Sequence, residues 1–405
     1  MAKPTATKTK IAITDEVLDD LHSRLVRTRW PRPLPKGGSW EYGTELGYMQ
    51  DLVQYWLHQY DWREQEQQLN QFDQFRAEVD GIEAHFIHQQ GKGPDPIPLL
   101  LLHGYPWSIM MFKQIIPLLT DPVAHGGNAE DSFTVVAPCL IGFGLSAAAQ
   151  EQGFQFERQA DLFRNLMVDC LDYPRFGVQG GDWGGIMCSP LGYKYPENLI
   201  GINQNYMGVM IRHESDPQPD EIRGHGMETA PLRPADPESL RFWKTFERWC
   251  DDEGGYRHIQ MTRPQSLAYG MSDSPAGLAA WIVEKMRSWS ASDGDVENVF
   301  SKDDIITNVM LYWIDSAFSS AIRIYYEGKH NPWKLRPGDY ISVPSSFAVF
   351  PEEHTPILRS RAEAYYNDIR RFTEMPRGGH FAAWEEPELL ANELREFFRP
   401  LRTAQ

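Results

Sequence analysis

Gly180-Gly181-Asp182-Trp183-Gly184 is the stretch on which the reading of this chain turns. It follows a short apolar run, residues 176–179, and has the small-x-acid-x-small form of a sharp strand-to-helix turn that exposes one side chain at its apex. Glycines flank the apex because side chains there would collide with the helix that follows. A Ser at such an apex needs a base to remove its proton, whereas a carboxylate is already ionised at neutral pH. Such a carboxylate attacks amides poorly and strained or activated alkyl carbon well, and the product is an alkyl ester of the enzyme.

Outward from this turn the chain alternates short apolar strands with helices. From about residue 96 the candidate strands are 97–102, 133–137, 176–179, 199–203 and 346–350. Near-continuous apolar strands between helices predict an α/β fold with a mostly parallel central sheet covered on both faces. Between residues 206 and 335 the rhythm gives way to helical segments rich in Trp, Tyr and Met, then resumes at Val343. An insertion placed after a sheet strand would sit over the strands' C-terminal edge, where open α/β sheets bind ligands; it is read as a cap. The organisation expected is therefore an N-terminal segment, 1–95, a first core part, 96–205, a helical cap, 206–335, and a second core part, 336–405.

Ahead of the core, the first ten residues read as frayed. The first helix is expected to start at an N-cap, Thr14, with Asp15 and Glu16 in its first turn, Leu18, Leu21 and Leu25 as its apolar stripe, and an end by Trp30-Pro31. A second helix is expected around 46–58, with Tyr48, Leu52, Tyr55 and Trp56 facing inward. Asp80-Gly81 between two alternating runs predicts a β-hairpin.

At 405 residues, 41% hydrophobic and 12% aromatic, the chain holds ample material for a large core plus an accessory module. A net charge of -17 gives no basic footprint for nucleic acid and repels an anionic membrane surface. Cys139, Cys170, Cys188 and Cys250 show neither metal-like spacing nor a C-x-x-C pair, and read as buried free thiols of a reducing compartment. The N-terminus lacks a signal-type apolar stretch, and no run approaches the roughly 20 apolar residues of a membrane span. These features set the expectation of a soluble, cytoplasmic protein without a membrane anchor, and leave a homodimer open. Gly91-Lys92-Gly93 lacks a P-loop context and no H-E-x-x-H occurs, so neither cofactor nor metal is expected.

Two further stretches complete a constellation with Asp182. Downstream, Arg377-Gly378-Gly379-His380-Phe381 follows the last expected strand, in the nucleophile–acid–histidine order of α/β-hydrolases. The acid belongs at the end of the preceding strand, where neighbouring residues point to opposite faces, so one of Glu352 and Glu353 can reach His380 and spacing does not choose between them. Upstream, His103-Gly104-Tyr105-Pro106-Trp107 has the form of a loop supplying half an oxyanion hole. The backbone N–H groups of Tyr105 and Trp183 are its candidate donors.

With these residues in hand, the chain resembles the microsomal-type (juvenile-hormone-type) epoxide hydrolases over about residues 11–400. The stretch Arg377-Gly378-Gly379-His380-Phe381-Ala382-Ala383-Trp384-Glu385-Glu386-Pro387 is similar to that family's histidine motif almost letter for letter. The resemblance implies an N-terminal segment wrapped around the core. It implies Glu353, two residues after Phe350-Pro351, as the triad acid, and two cap tyrosines that hydrogen-bond the epoxide oxygen: Tyr256, within Gly255-Tyr256-Arg257-His258, and Tyr325, with Tyr326 adjacent. Phenols suit that task, since they donate a hydrogen bond and then a proton without being ionised themselves.

The function expected is that of a cofactor-free epoxide hydrolase acting on a small apolar epoxide and water, with Trp107, Trp183, Trp313 and Trp384 as candidate pocket walls. Detoxification, catabolism and biosynthesis all accommodate this chemistry. The nearest rival is a haloalkane-type dehalogenase, which shares the Asp nucleophile but needs indole N–H groups around a halide. A rival of another class is a non-catalytic small-molecule-binding protein of the same fold.

Overall fold

The structure, a computed structural model, describes residues 4–34, 39–208 and 237–404. The chain opens with β1 (Thr7–Thr9), α1 (Asp15–Val26), α2 (Leu46–His58) and α3 (Trp62–Leu69). The hairpin β2 (Gln74–Val79) and β3 (Ile82–Gln89) leads into β4 (Ile97–Leu102), α4 (Ile115–Thr120), β5 (Phe133–Pro138) and α5 (Phe156–Asn165). Next come β6 (Phe176–Gly180), α6 (Asp182–Lys194) and β7 (Leu199–Gln204). A run of helices follows: α7 (Pro237–Glu253), α8 (Gly255–Thr262), α9 (Pro264–Asp273), α10 (Pro275–Trp289), α11 (Lys302–Trp313), α12 (Ala317–Ala321) and α13 (Arg323–His330). The chain closes with β8 (Ser345–Val349), α14 (Arg359–Tyr365), β9 (Ile369–Glu374), α15 (Ala382–Glu385) and α16 (Pro387–Phe398).

Among the described residues one nine-stranded sheet has the order β1-β2-β3-β5-β4-β6-β7-β8-β9. β1, β2, β3 and β5 pair antiparallel, and β5 through β9 pair parallel. β5, β6 and β7 are buried along their whole length, which is why they read as apolar runs rather than alternations. From β4 the chain steps to β5 on one side and later to β6 on the other. The crevice outside the C-terminal ends of β4 and β6 is therefore the topological switch point, and the loops after these two strands meet there.

The expected strands, hairpin and first two helices are present, with Ala77 opposite Ala84 across the hairpin. Three local expectations are corrected. Residues 7–9 are not frayed but form β1, an exposed strand whose Thr and Lys side chains carry no apolar alternation; its backbone ladder to β2 alone defines it. Thr14 occupies the N-cap position of α1, but its side chain makes no capping hydrogen bond. On α2 the buried face is Met49, Leu52, Val53 and Trp56, with Tyr48 and Tyr55 only half-buried. Of the stretch expected to be cap, residues 209–236 lie outside the described residues.

The N-terminal helices reach the inserted helices as well as the sheet. Arg24 donates to the Asp273 carbonyl and carboxylate at 2.9 and 2.8 Å, and the Arg287 guanidinium lies 4.6 Å from the Trp40 ring centre. The Thr44 hydroxyl donates to the Ala280 carbonyl at 2.6 Å, Tyr55 donates to Asp303 at 3.0 Å, and Tyr60 meets the Thr307 hydroxyl at 3.0 Å. No single described helix is long and apolar enough to cross a membrane.

Candidate active site

Asp182 opens α6 directly behind β6, with φ +49°, a left-handed backbone that a non-glycine residue adopts at a cost. The loop after β4 lies against it. The Tyr105 N–H donates to Asp182 Oδ1 at 2.7 Å. A Cβ on Gly104 would stand 2.1 Å from that same oxygen, so only glycine permits the approach. The loop is aimed by its neighbours: Asn308 donates to the Pro106 carbonyl at 2.8 Å, and the Tyr312 hydroxyl donates to the Trp107 carbonyl at 2.7 Å. Both carbonyls are thereby turned to α11. His103 Nε2 accepts the Leu140 N–H at 3.1 Å, and burial pushes the His103 pKa down to about 4, so this imidazole is a neutral brace. The Trp183 N–H sits in the first turn of α6, where helix N–H groups lack intrahelical partners.

The Glu352/Glu353 ambiguity is resolved by the backbone. The Glu352 N–H pairs with the Gly378 carbonyl at 3.1 Å and its side chain is exposed, which turns Glu353 inward. Glu353 Oε2 lies 2.8 Å from His380 Nδ1. On the far side of the ring, His380 Nε2 faces Asp182 Oδ2 across 3.4 Å. Burial pushes the His380 pKa down, but the Glu353 and Asp182 carboxylates outweigh it and raise it to about 10.

Opposite Asp182 stand two phenols of the inserted helices. Tyr256, on α8, stacks on Tyr105 at 5.9 Å between ring centres, and Tyr325, on α13, meets Tyr105 edge-on at 5.6 Å. The two rings are 5.9 Å apart. Burial first, and then neighbouring phenols and the Asp182 charge, push both phenols well above their ordinary pKa, so both stay protonated donors. Tyr326 points elsewhere, stacking on His330 at 4.0 Å.

The tryptophans separate. Trp183 packs edge-on against Tyr325 at 4.8 Å, within the site. Trp107 packs on Phe300, Phe381 and Trp384, and Trp384 also packs on Phe300. Trp313 is placed at the seam with α1, its ring 5.7 Å from the Arg24 guanidinium, and the structure does not bring it to Asp182.

Several residues near His380 carry no legible signal in the sequence. His354 stacks on His380 at 4.6 Å and on Trp249 at 4.7 Å, while Tyr206, just after β7, meets His380 edge-on at 5.5 Å. Among the described residues, Glu353, His354 and His380 are the group whose donor atoms, within 4.8 Å of one another, could meet a cation. Two of them, Glu353 and His380, are hydrogen-bonded to each other, so Nδ1 of His380 is already engaged. Glu385 lay inside a quoted motif without a role. Its carboxylate accepts three backbone N–H groups around His380.

Comparison with known proteins agrees with this architecture. Residues 6–112 match the family model of the epoxide hydrolase N terminus, and residues 97–387 match that of the alpha/beta hydrolase fold. A putative epoxide hydrolase of Stigmatella aurantiaca is 39% identical over 97% of this chain and 84% of its own length. Epoxide hydrolase 1 of Oryctolagus cuniculus is 35% identical over 96% of this chain and 87% of its own length. The crystal structure of the juvenile hormone epoxide hydrolase from the silkworm Bombyx mori superposes with a TM-score of 0.81 at 27% identity, covering 98% of this chain and 94% of that one.

Proposed function

Because the chain belongs to the epoxide hydrolases of the α/β-hydrolase fold, we propose that it opens an oxirane to a vicinal diol through an ester on Asp182. What supports the reading most is the unequal placement of the two Asp182 oxygens: Oδ1 accepts the Tyr105 N–H at 2.7 Å, and Oδ2 faces the base. Oδ2 attacks an oxirane carbon and the ring C–O bond breaks. The oxygen released is met by Tyr256 and Tyr325, one of which gives it a proton. Oδ1 becomes the ester carbonyl, already in place against the Tyr105 N–H and joined by that of Trp183.

Ester formation also prepares the second step. It abolishes the Asp182 charge, one of the two influences that hold His380 protonated, so the imidazolium gives its proton to the tyrosinate left by the first step and becomes a base. Nε2 takes a proton from water while the oxygen adds to the Asp182 carboxyl carbon, and the two N–H groups hold the oxyanion. The ester C–O bond then breaks, the diol departs with a proton from His380, and the Asp182 carboxylic acid passes its proton to His380, which restores the carboxylate and the imidazolium of the resting site. No cofactor enters.

The test is a single turnover of racemic styrene oxide in ¹⁸O-water, with Asp182→Ala as control. The label should enter Asp182 before it enters the diol. Solvent oxygen appearing directly in the diol of the first turnover would sink the covalent route.

A further inference from the structure

Glu385 closes α15, and its half-buried side chain folds back over the loop that carries His380. Its Oε1 accepts the Phe381 N–H at 2.8 Å, and its Oε2 accepts the Gly379 N–H at 3.0 Å. The carboxylate therefore fixes the N–H groups of the residues on either side of the base. Oε2 also accepts a third N–H, from Ala291 just beyond α10, at 2.8 Å. The same segment is gripped a second time, because the His380 N–H donates to the Trp289 carbonyl at 2.9 Å. The approach is close enough to dictate a residue: a Cβ on Gly379 would stand 2.8 Å from the Trp289 oxygen. Segments 289–291 and 379–381 thus form one laced unit, with Glu385 as its knot.

We propose that Glu385 is a positioning residue for the water-activating step, holding His380 in register and tying that register to the docking of the inserted helices. Glu385 touches no reacting atom. It acts through the peptide planes beside His380, whose Nε2 must aim at a water near the Asp182 ester. The inference rests on the ester mechanism above, and its signature is confined to one half of it. Ester formation depends on Asp182 and the tyrosines, and the Glu385 carboxylate bonds to the N–H groups of Gly379, Phe381 and Ala291 rather than to any of these. Ester hydrolysis depends on the aim of His380, where a displacement near 1 Å is worth about 10²-fold in rate.

The experiment is rapid-quench kinetics with styrene oxide on the full chain, native and E385Q, with intact-mass detection of the adduct. The glutamine keeps the size but sets an N–H₂ against backbone N–H groups. In E385Q, kcat should fall by about 10²-fold, kcat/KM should stay near native because KM falls in parallel, and the adduct should build up. Equal falls in kcat and kcat/KM without adduct, or native values of both, overturn the proposal.

A291P removes the donor from the inserted helices and sets a Cδ against Glu385 Oε2, which parts the carboxylate from this segment. Ser290 before it already has φ −103° and ψ 163°, the extended backbone that a following proline requires. It should show the same signature in milder form, and it carries the test if E385Q does not fold. A native kcat in A291P overturns the tie to the inserted helices. If neither the native protein nor H380Q ever carries an adduct while diol forms, the ester mechanism fails instead, and the two failures are distinguishable.

Discussion

The two halves of the site are held in different ways. Asp182, at the start of α6, and Tyr105, Glu353 and His380, on loops, all stand beyond strand ends, and each is fixed by a directional hydrogen bond: 2.7 Å from Tyr105 to Asp182, 2.8 Å between Glu353 and His380. Tyr256 and Tyr325 come from the inserted helices and are fixed by ring packing, on Tyr105, on Trp183 and on each other. On the proposed mechanism, the half that makes and breaks bonds at carbon needs an oriented lone pair and an oriented proton. On the same reading, the half that polarises an oxygen needs two donors in a dry place, and close-packed aromatic rings supply that tolerance.

The largest effect expected from this contrast is at Asp182. Asp182→Ala should lower diol formation by about 10⁴-fold or more, the scale on which enzymes lose a nucleophile; substantial residual turnover would break the contrast at its root. Next, His380→Gln should still form the ester and hydrolyse it about 10²–10⁴-fold more slowly, so that the protein is trapped as an adduct visible by mass spectrometry. Tyr256→Phe and Tyr325→Phe should each slow ester formation by about 10²–10³-fold while leaving its hydrolysis near native. A tyrosine variant that instead trapped the adduct would mean that the halves are not divided as described.

A subtler test uses pH. The His380 pKa is raised to about 10 in the folded protein, against an ordinary 6.5, so His380 contributes stability that is full below 6.5 and is lost as pH rises through about 10. Asp182→Asn removes one of the two carboxylates responsible, so its alkaline loss of stability should begin at lower pH than in the native protein. Thermal melts across this range check it, and superimposable profiles would remove Asp182 from the charge balance. The smallest effect is expected from Glu352→Gln: kcat near native and stability within about 0.5 kcal/mol, because Glu352 contributes its backbone N–H and exposes its side chain.

The same contrast explains what was legible in the sequence. The elbow at Asp182, the His-Gly-Tyr-Pro loop and the Gly-Gly-His stretch leave compact signatures, because a sharp turn and a close backbone approach demand glycine at fixed offsets. Tyr256 and Tyr325 have no such demand around them, and only the family resemblance distinguished them among 17 tyrosines. His354 and Tyr206 reach His380 from separate strand ends, which no local spacing encodes. Trp313 shows the converse, a Trp whose composition fits a pocket but whose helix face turns to α1. β1 was missed because a ladder of backbone bonds leaves no mark on side-chain pattern.

The contacts from Arg24, Thr44, Tyr55 and Tyr60 to the inserted helices bear on how a substrate enters and a diol leaves. Along the chain the insertion is tethered at two points, as a hinged flap would be. In space it is riveted along a third edge by the N-terminal helices, and swinging it outward as one body would break all of these bonds together. Traffic through the site is therefore cheaper by a local parting of loops than by an outward swing of the whole insertion.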